Sequence, residues 1–148
     1  MIFIAHRGNT SGVIPLYENS PEYVKAALQA GFYVEVDVWW FEGKFWLGHD
    51  KPTYEVERWW LRSAALWCHA KTVETLCKLL DINAHCFFHI SDDAVMTSRG
   101  YIWTFPGKPL TERSISLDFG GHQTYCIPPA GICSDHIQEV RERVEKGV

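Results

Sequence analysis

Tyr33-Val34-Glu35-Val36-Asp37-Val38-Trp39, then Glu42-Gly43, then Lys44-Phe45-Trp46-Leu47 is the stretch that decides the fold. Valines and aromatic rings over 33–39 suit a buried, pleated strand, Glu42-Gly43 supplies a tight turn, and 44–47 returns, so 33–48 reads as a β-hairpin. Side chains two apart on a strand share a face, which puts Glu35 and Asp37 side by side. Two carboxylates in an otherwise apolar strand repel each other in a low-dielectric interior unless positive charge lies between them. A divalent cation with oxygen ligands, Mg²⁺ or Ca²⁺, meets that need. The competing reading, two solvated acids on an exposed edge, is opposed by Tyr33, Val34, Val36 and Val38 around them.

Outward from the hairpin, residues 2–5 form a wholly apolar strand, followed by a polar, glycine-containing loop over 6–17. Ser20-Pro21-Glu22 signals a helix start, Tyr23, Val24, Ala27, Leu28 and Ala30 give it an apolar side, and Gly31 ends it. Downstream, 66–70 predicts a strand, and Lys71-Thr72 opens a helix whose apolar side is Val73, Leu76, Cys77 and Leu80. Residues 85–90 predict a strand followed at most by a helical turn over 91–98; 101–105, 114–119 and 131–134 predict three more strands. The last helix spans 135–145, with Ile137, Val140 and Val144 on one side. Alternating strands and helices with short links mark a parallel α/β sheet. The links 106–113 and 120–130 are too short for crossover helices, and a full eight-unit barrel takes about 250 residues against 148 here. The pattern therefore allows a stripped barrel missing several outer helices, or an open sheet.

A length of 148 residues with 47% hydrophobic and 22% charged side chains predicts a single domain over 1–148 and excludes a disordered chain. A net charge of -4 without a Lys/Arg cluster argues against a nucleic-acid partner. No apolar run approaches the roughly 18 residues that cross a bilayer, so no stable membrane insertion is expected. Met-Ile-Phe-Ile-Ala-His begins as a strand, which predicts no leader peptide. Five cysteines without a CxxC pair predict buried thiols in a reducing, cytoplasmic setting.

His6 and His49 each follow a short apolar strand, where loop chemistry concentrates in α/β folds, and imidazoles exchange protons near neutral pH. Asp50 or another carboxylate can fix the tautomer of His49. His6-Arg7-Gly8, Glu18-Asn19-Ser20, Glu35-Val36-Asp37-Val38 and Gly48-His49-Asp50, in this order and spacing, resemble the glycerophosphodiester phosphodiesterase family, which belongs with the phosphatidylinositol-specific phospholipase C-like barrels. Gly131-Ile132-Cys133-Ser134-Asp135 is similar to that family's closing strand, so the likeness lies in 1–50 and 130–136.

The resemblance implies an α/β fold, a compact TIM-type (β/α) barrel with several outer helices missing or shortened, and a site at the strand C-termini. It implies His6 and His49 as general base and acid, Glu35 and Asp37 as ligands of Mg²⁺ or Ca²⁺, and Arg7 against the phosphate. Where the family has Glu-x-Lys on its third strand, this chain has His69-Ala70-Lys71. Lys71 keeps a phosphate-binding role, and His69 stands for the third acidic ligand, or touches substrate instead, or is structural. His89 at a strand end is a further substrate contact, with Trp103 and Phe105 as a pocket floor. Asp92, Asp93 and Asp135 are placed for helix capping. The activity so implied is metal-dependent hydrolysis of a small glycerophosphodiester-type substrate through a cyclic phosphate. The short links add an expectation of a shallow site with weak selectivity for the alcohol. The alternative is a catalytically inactive, phospho-ligand-binding relative, and subunit number is left open.

Overall fold

The computed structural model describes residues 1–120 and 123–147. Ten strands form one sheet: β1 (Ile2–His6), β2 (Tyr33–Phe41), β3 (Lys44–Leu47), β4 (Tyr54–Val56), β5 (Leu66–Ala70), β6 (Cys86–Phe87), β7 (Ala94–Met96), β8 (Ile102–Thr104), β9 (Ser114–Leu117) and β10 (Gly131–Ser134). The helices are α1 (Pro21–Gln29), α2 (Arg58–Leu61), α3 (Val73–Asp81) and α4 (Ile137–Glu145). Along the sheet the strands run β4-β3-β2-β1-β10-β9-β8-β7, with β5 also paired to β2 and β6 to β5. The pairings β1–β10, β1–β2, β10–β9, β2–β5, β5–β6 and β8–β9 are parallel, while β2–β3, β3–β4 and β7–β8 are antiparallel.

This corrects the TIM-type expectation: the sheet is mixed, curls into a half-barrel, and among the described residues carries four short helices instead of one per strand. The physical reason lies in the second half, where Pro/Gly links of few residues leave no room for crossover helices and β7–β8 closes as an antiparallel hairpin instead. The link 120–130 includes residues 121 and 122, which lie outside the described residues. Curling is visible in the side chains. β6 and β8 share no ladder, yet the Phe87 and Trp103 rings stack with centroids 4.5 Å apart.

Strand alternation sorts the core into two layers. Val34, Val36 and Val38 of β2, with Leu66, Cys68 and Ala70 of β5, pack outward against Val24 and Ala27 of α1, Leu79 of α3 and Ile137 and Val140 of α4. Ile4, Trp67, Phe87, Trp103, Ile115, Leu117 and Cys133 fill the concave side. Glu35 and Asp37 share that concave side, opposite the valines, so the alternation that buries the valines also buries the acids.

Helix starts follow their residues. Ser20 Oγ accepts the Tyr23 amide at 3.3 Å at the head of α1, and Thr72 Oγ1 accepts the Thr75 amide at 3.0 Å at the head of α3. Several local expectations change. The 85–90 strand shrinks to Cys86–Phe87, and 91–98 holds β7 rather than a helical turn. Gly100, at φ +80°, makes the β7–β8 turn, where the Thr97 amide bonds the Tyr101 carbonyl at 2.8 Å. Asp93 therefore caps no helix; its carbonyl takes the Phe105 amide and its carboxylate pairs with Lys108 at 2.9 Å. α3 turns Thr75 and Leu79 inward and leaves Val73 and Leu80 exposed. Cys68, Cys86 and Cys133 are buried free thiols, but Cys77 and Cys126 are exposed. β4 and α2 arise in a segment for which the sequence offered no assignment. Among the described residues no helix is long and apolar enough to cross a membrane.

Gly131 opens β10 between β1 and β9. A Cβ there would come within 2.6 Å of the Ile2 carbonyl oxygen and 3.0 Å of Ile115 Cδ1. Gly131→Ala is expected to lower unfolding free energy by about 1–3 kcal/mol in urea titration. A midpoint equal to that of the parent would contradict this packing.

Candidate functional site

The parallel register sets the site before any side chain is considered. His6 is opposite Glu35 across β1–β2, and Asp37 is opposite His69 across β2–β5. Beyond the strands, three loops bring in the remaining groups. Asn19, at φ +63°, is fully buried in the loop before α1, donates from Nδ2 to Asp37 Oδ2 at 3.0 Å, and accepts the Asp37 amide at 2.9 Å. A left-handed backbone at a buried Asn is held by these two bonds. Gly48 follows β3. A Cβ there would collide with the Lys51 carbonyl oxygen, so glycine permits the tight turn that presents His49. Arg7, at φ +53°, carries the chain away from β1.

Asp37 is 1% exposed and ringed by donors. His69 Nδ1 lies 3.1 Å and Lys71 Nζ 3.2 Å from its Oδ1; Arg7 Nε at 3.2 Å and His49 Nδ1 at 3.4 Å join Asn19 at Oδ2. Burial alone would raise its pKa, but hydrogen bonds from His49 and His69 and the Lys71 and Arg7 charges hold it well below the usual carboxylate range. The Arg7 approach is ionic: its buried Nε–H is not aligned for a hydrogen bond and has no other acceptor, while Nη1 reaches Glu18 at 3.2 Å.

Glu35, on the same strand and face, fares differently. It is 2% exposed, and burial followed by repulsion from Asp37 raises its pKa against the opposing pull of His6, His69 and Arg7. Its Oε2 accepts the Arg7 amide at 3.2 Å. One ligand atom each from Glu35, Asp37 and His69 lies within 4.8 Å of the others. Two carboxylates and an imidazole so placed can hold a small divalent ion, which would relieve the repulsion expressed at Glu35 and replace the proton between His69 and Asp37.

His6 Nδ1 meets Asp135 Oδ1 at 2.8 Å; since a carboxylate only accepts, the proton sits on Nδ1 and leaves Nε2 directed to the cavity side, 3.9 Å from Glu35. Burial would lower the His6 pKa, but the Asp135 hydrogen bond and the charges of Glu35 and Asp135 raise it overall. Asp135 is thus no helix cap: His136 occupies that position, and Asn9 Nδ2 completes the Asp135 contacts at 2.8 Å. His49 is half exposed and takes its orientation from Asp37 rather than Asp50, whose carboxylate stands 3.7 Å from Nε2 and faces solvent. His89 stacks on His69 with centroids 4.4 Å apart, and burial with the nearby His69 and Lys71 pushes its pKa down to about 4.

A cavity of about 400 Å³ gathers these groups: His6, Arg7, Glu35, His49, His69 and Lys71 line one side. His89, Trp103 and Phe105 line it as well, and Asp37, outside the lining, bonds to His49, His69 and Lys71 within it. His6, Arg7, Glu35, His49, His69, Lys71 and His89 are thus brought to one opening, whereas Asp50 faces solvent and Asp92 and Asp93 lie outside the lining. Arg7 and Lys71, expected against a phosphate, are anchored to Glu18 and Asp37. Asn9, Asn19 and the His6–Asp135 bond were not foreseen. Asn19 carried a signal, since it lies in the Glu18-Asn19-Ser20 segment, but its grip on Asp37 depends on backbone geometry.

Matched against family models, curated proteins and solved structures, the chain gives no match. What the site can do follows from its own groups. Because the folded pKa of His6 is raised, the stabilisation from the His6–Asp135 pair is fully present below the unfolded value of about 6.5 and is lost as pH rises through the folded one. In an NMR titration Asp135→Asn is expected to lower the His6 midpoint. An unmoved midpoint would remove Asp135 from this role.

Proposed function

We propose that the protein is a metal-dependent phosphodiesterase acting on a small glycerophosphodiester-type substrate. The observation that carries this reading is the convergence of two acids, four imidazoles and two fixed cations at one cavity. The resemblance of His6-Arg7-Gly8, Glu35-Val36-Asp37 and Gly48-His49-Asp50 to the glycerophosphodiester phosphodiesterases supports it independently of the geometry.

In this reading Glu35, Asp37 and His69 hold Mg²⁺ or Ca²⁺, which when bound supplies a Lewis acid that stabilises charge on a phosphate oxygen. Arg7 and Lys71, which line the cavity, neutralise the remaining phosphate charge. His6, oriented by Asp135, and His49, oriented by Asp37, exchange protons with the attacking hydroxyl and the departing alcohol oxygen. A neighbouring substrate hydroxyl displaces the alcohol and leaves a cyclic phosphate, and water opens that ring with the two imidazoles reversed. The five free thiols are consistent with work in the reducing cytoplasm.

One observation favours the second reading, a phospho-ligand-binding protein without turnover: the chain's own cations already satisfy Asp37. Hydrolysis of glycerophosphodiesters separates the two. The enzyme reading expects turnover that stops in EDTA and returns with Mg²⁺ or Ca²⁺, and a loss of about 10²–10⁴-fold in His6→Ala or Glu35→Gln. Undiminished hydrolysis in EDTA would overturn the metal assignment, and phosphate binding without turnover would favour the binding protein.

A further inference from the structure

The cavity has a second side that the phosphate chemistry does not use. His89, Ile90, Trp103, Phe105, Leu117 and Phe119 line it beside the acids and cations, with His89 stacked on His69 and Phe119 packed on His6. The rings there meet at varied angles. Phe105 meets His89 at 79° with centroids 4.8 Å apart, and Phe119 meets His6 at 48° and 4.9 Å. Trp103 and Leu117 are almost fully buried and form the floor, whereas Ile90 is 81% exposed and Phe119 38% exposed, which places both at the rim. The link that carries Ile90, between β6 and β7, adds no charged group to the cavity lining, as Asp92 and Asp93 stay out of it. An aliphatic side chain left in water at the mouth of a charged cavity gains contact when an apolar group enters beside it.

We propose that one ester group of the substrate is apolar and about the size of a single ring, seated against Phe105, Phe119 and Ile90 while its phosphate faces Arg7 and Lys71. The proposal rests on the phosphate-binding reading above and specifies the alcohol, in place of the weak selectivity expected from short links. A polyol seated on Ile90, Phe105 and Phe119 would lose hydrogen bonds to water that those three side chains cannot replace, the His89 imidazole being the polar group beside them. An apolar ring loses nothing comparable and buries the rim of the cavity. Selectivity thus comes from the β6–β7, β8–β9 and β9–β10 links, although the chemistry comes from β1, β2, β3 and β5.

Calorimetric titration of the full chain in Mg²⁺ with inorganic phosphate, glycerol phosphate and phenyl phosphate tests this without relying on turnover. All three should bind, with phenyl phosphate about tenfold tighter than glycerol phosphate. Phe105→Ala should erase that advantage. Ile90→Ser, at an exposed position that the fold does not need, should reduce it severalfold. Equal or weaker binding of phenyl phosphate, with inorganic phosphate still bound, overturns the apolar subsite alone. Failure of all three to bind overturns the phosphate site and this inference with it.

Discussion

The structure turns on a carboxylate that its neighbours keep charged. Asp37 sits almost out of reach of solvent on the concave side of a curled sheet, and five side chains from separate elements donate or lend positive charge to it. A buried acid without such partners would protonate or expel itself from the core. With them it becomes a fixed point. Arg7 after β1, Asn19 before α1, His49 after β3, and His69 and Lys71 on and after β5 are all located by reference to it. Removing one partner leaves the others; removing the acid strands several donors at once.

Glu35 shows the same physics with the opposite sign. It shares strand and face with Asp37, yet its pKa rises, because burial disfavours its charge and the second carboxylate repels it, more than His6, His69 and Arg7 pull it down. Two acids two residues apart are thus driven to different protonation behaviour by position alone. The proposed metal site rests on this pair together with His69. Against the cost of burial, the hydrogen bond to Asp135 and the charges of Glu35 and Asp135 draw His6 toward its protonated form.

Much of the site was legible because it is written in period two. Glu35 and Asp37 against Val34, Val36 and Val38 fix which side is buried, and the hairpin turn at Glu42-Gly43 places His49 near the same strand. The bordering strand with His69 and Lys71 follows from the parallel register. The whole architecture was less legible. Short apolar runs at 85–90 and 101–105 look alike whether they end up parallel or antiparallel, and what decides is Gly100 and the length of the link. The TIM-type barrel failed there: a motif at one end of the sheet carries no information about helices at the other. Asp135 was misread for a related reason. An acid before a helix resembles a cap, and only the return of β10 beside β1 shows that it faces His6 instead.

The most direct test of the account is a crystal soaked in Ca²⁺ and measured for anomalous scattering. The account predicts one strong site bounded by Glu35, Asp37 and His69, with oxygen distances of about 2.3–2.6 Å. Calcium confined to exposed acids such as Asp50, with His69 still hydrogen-bonded to Asp37, would contradict it.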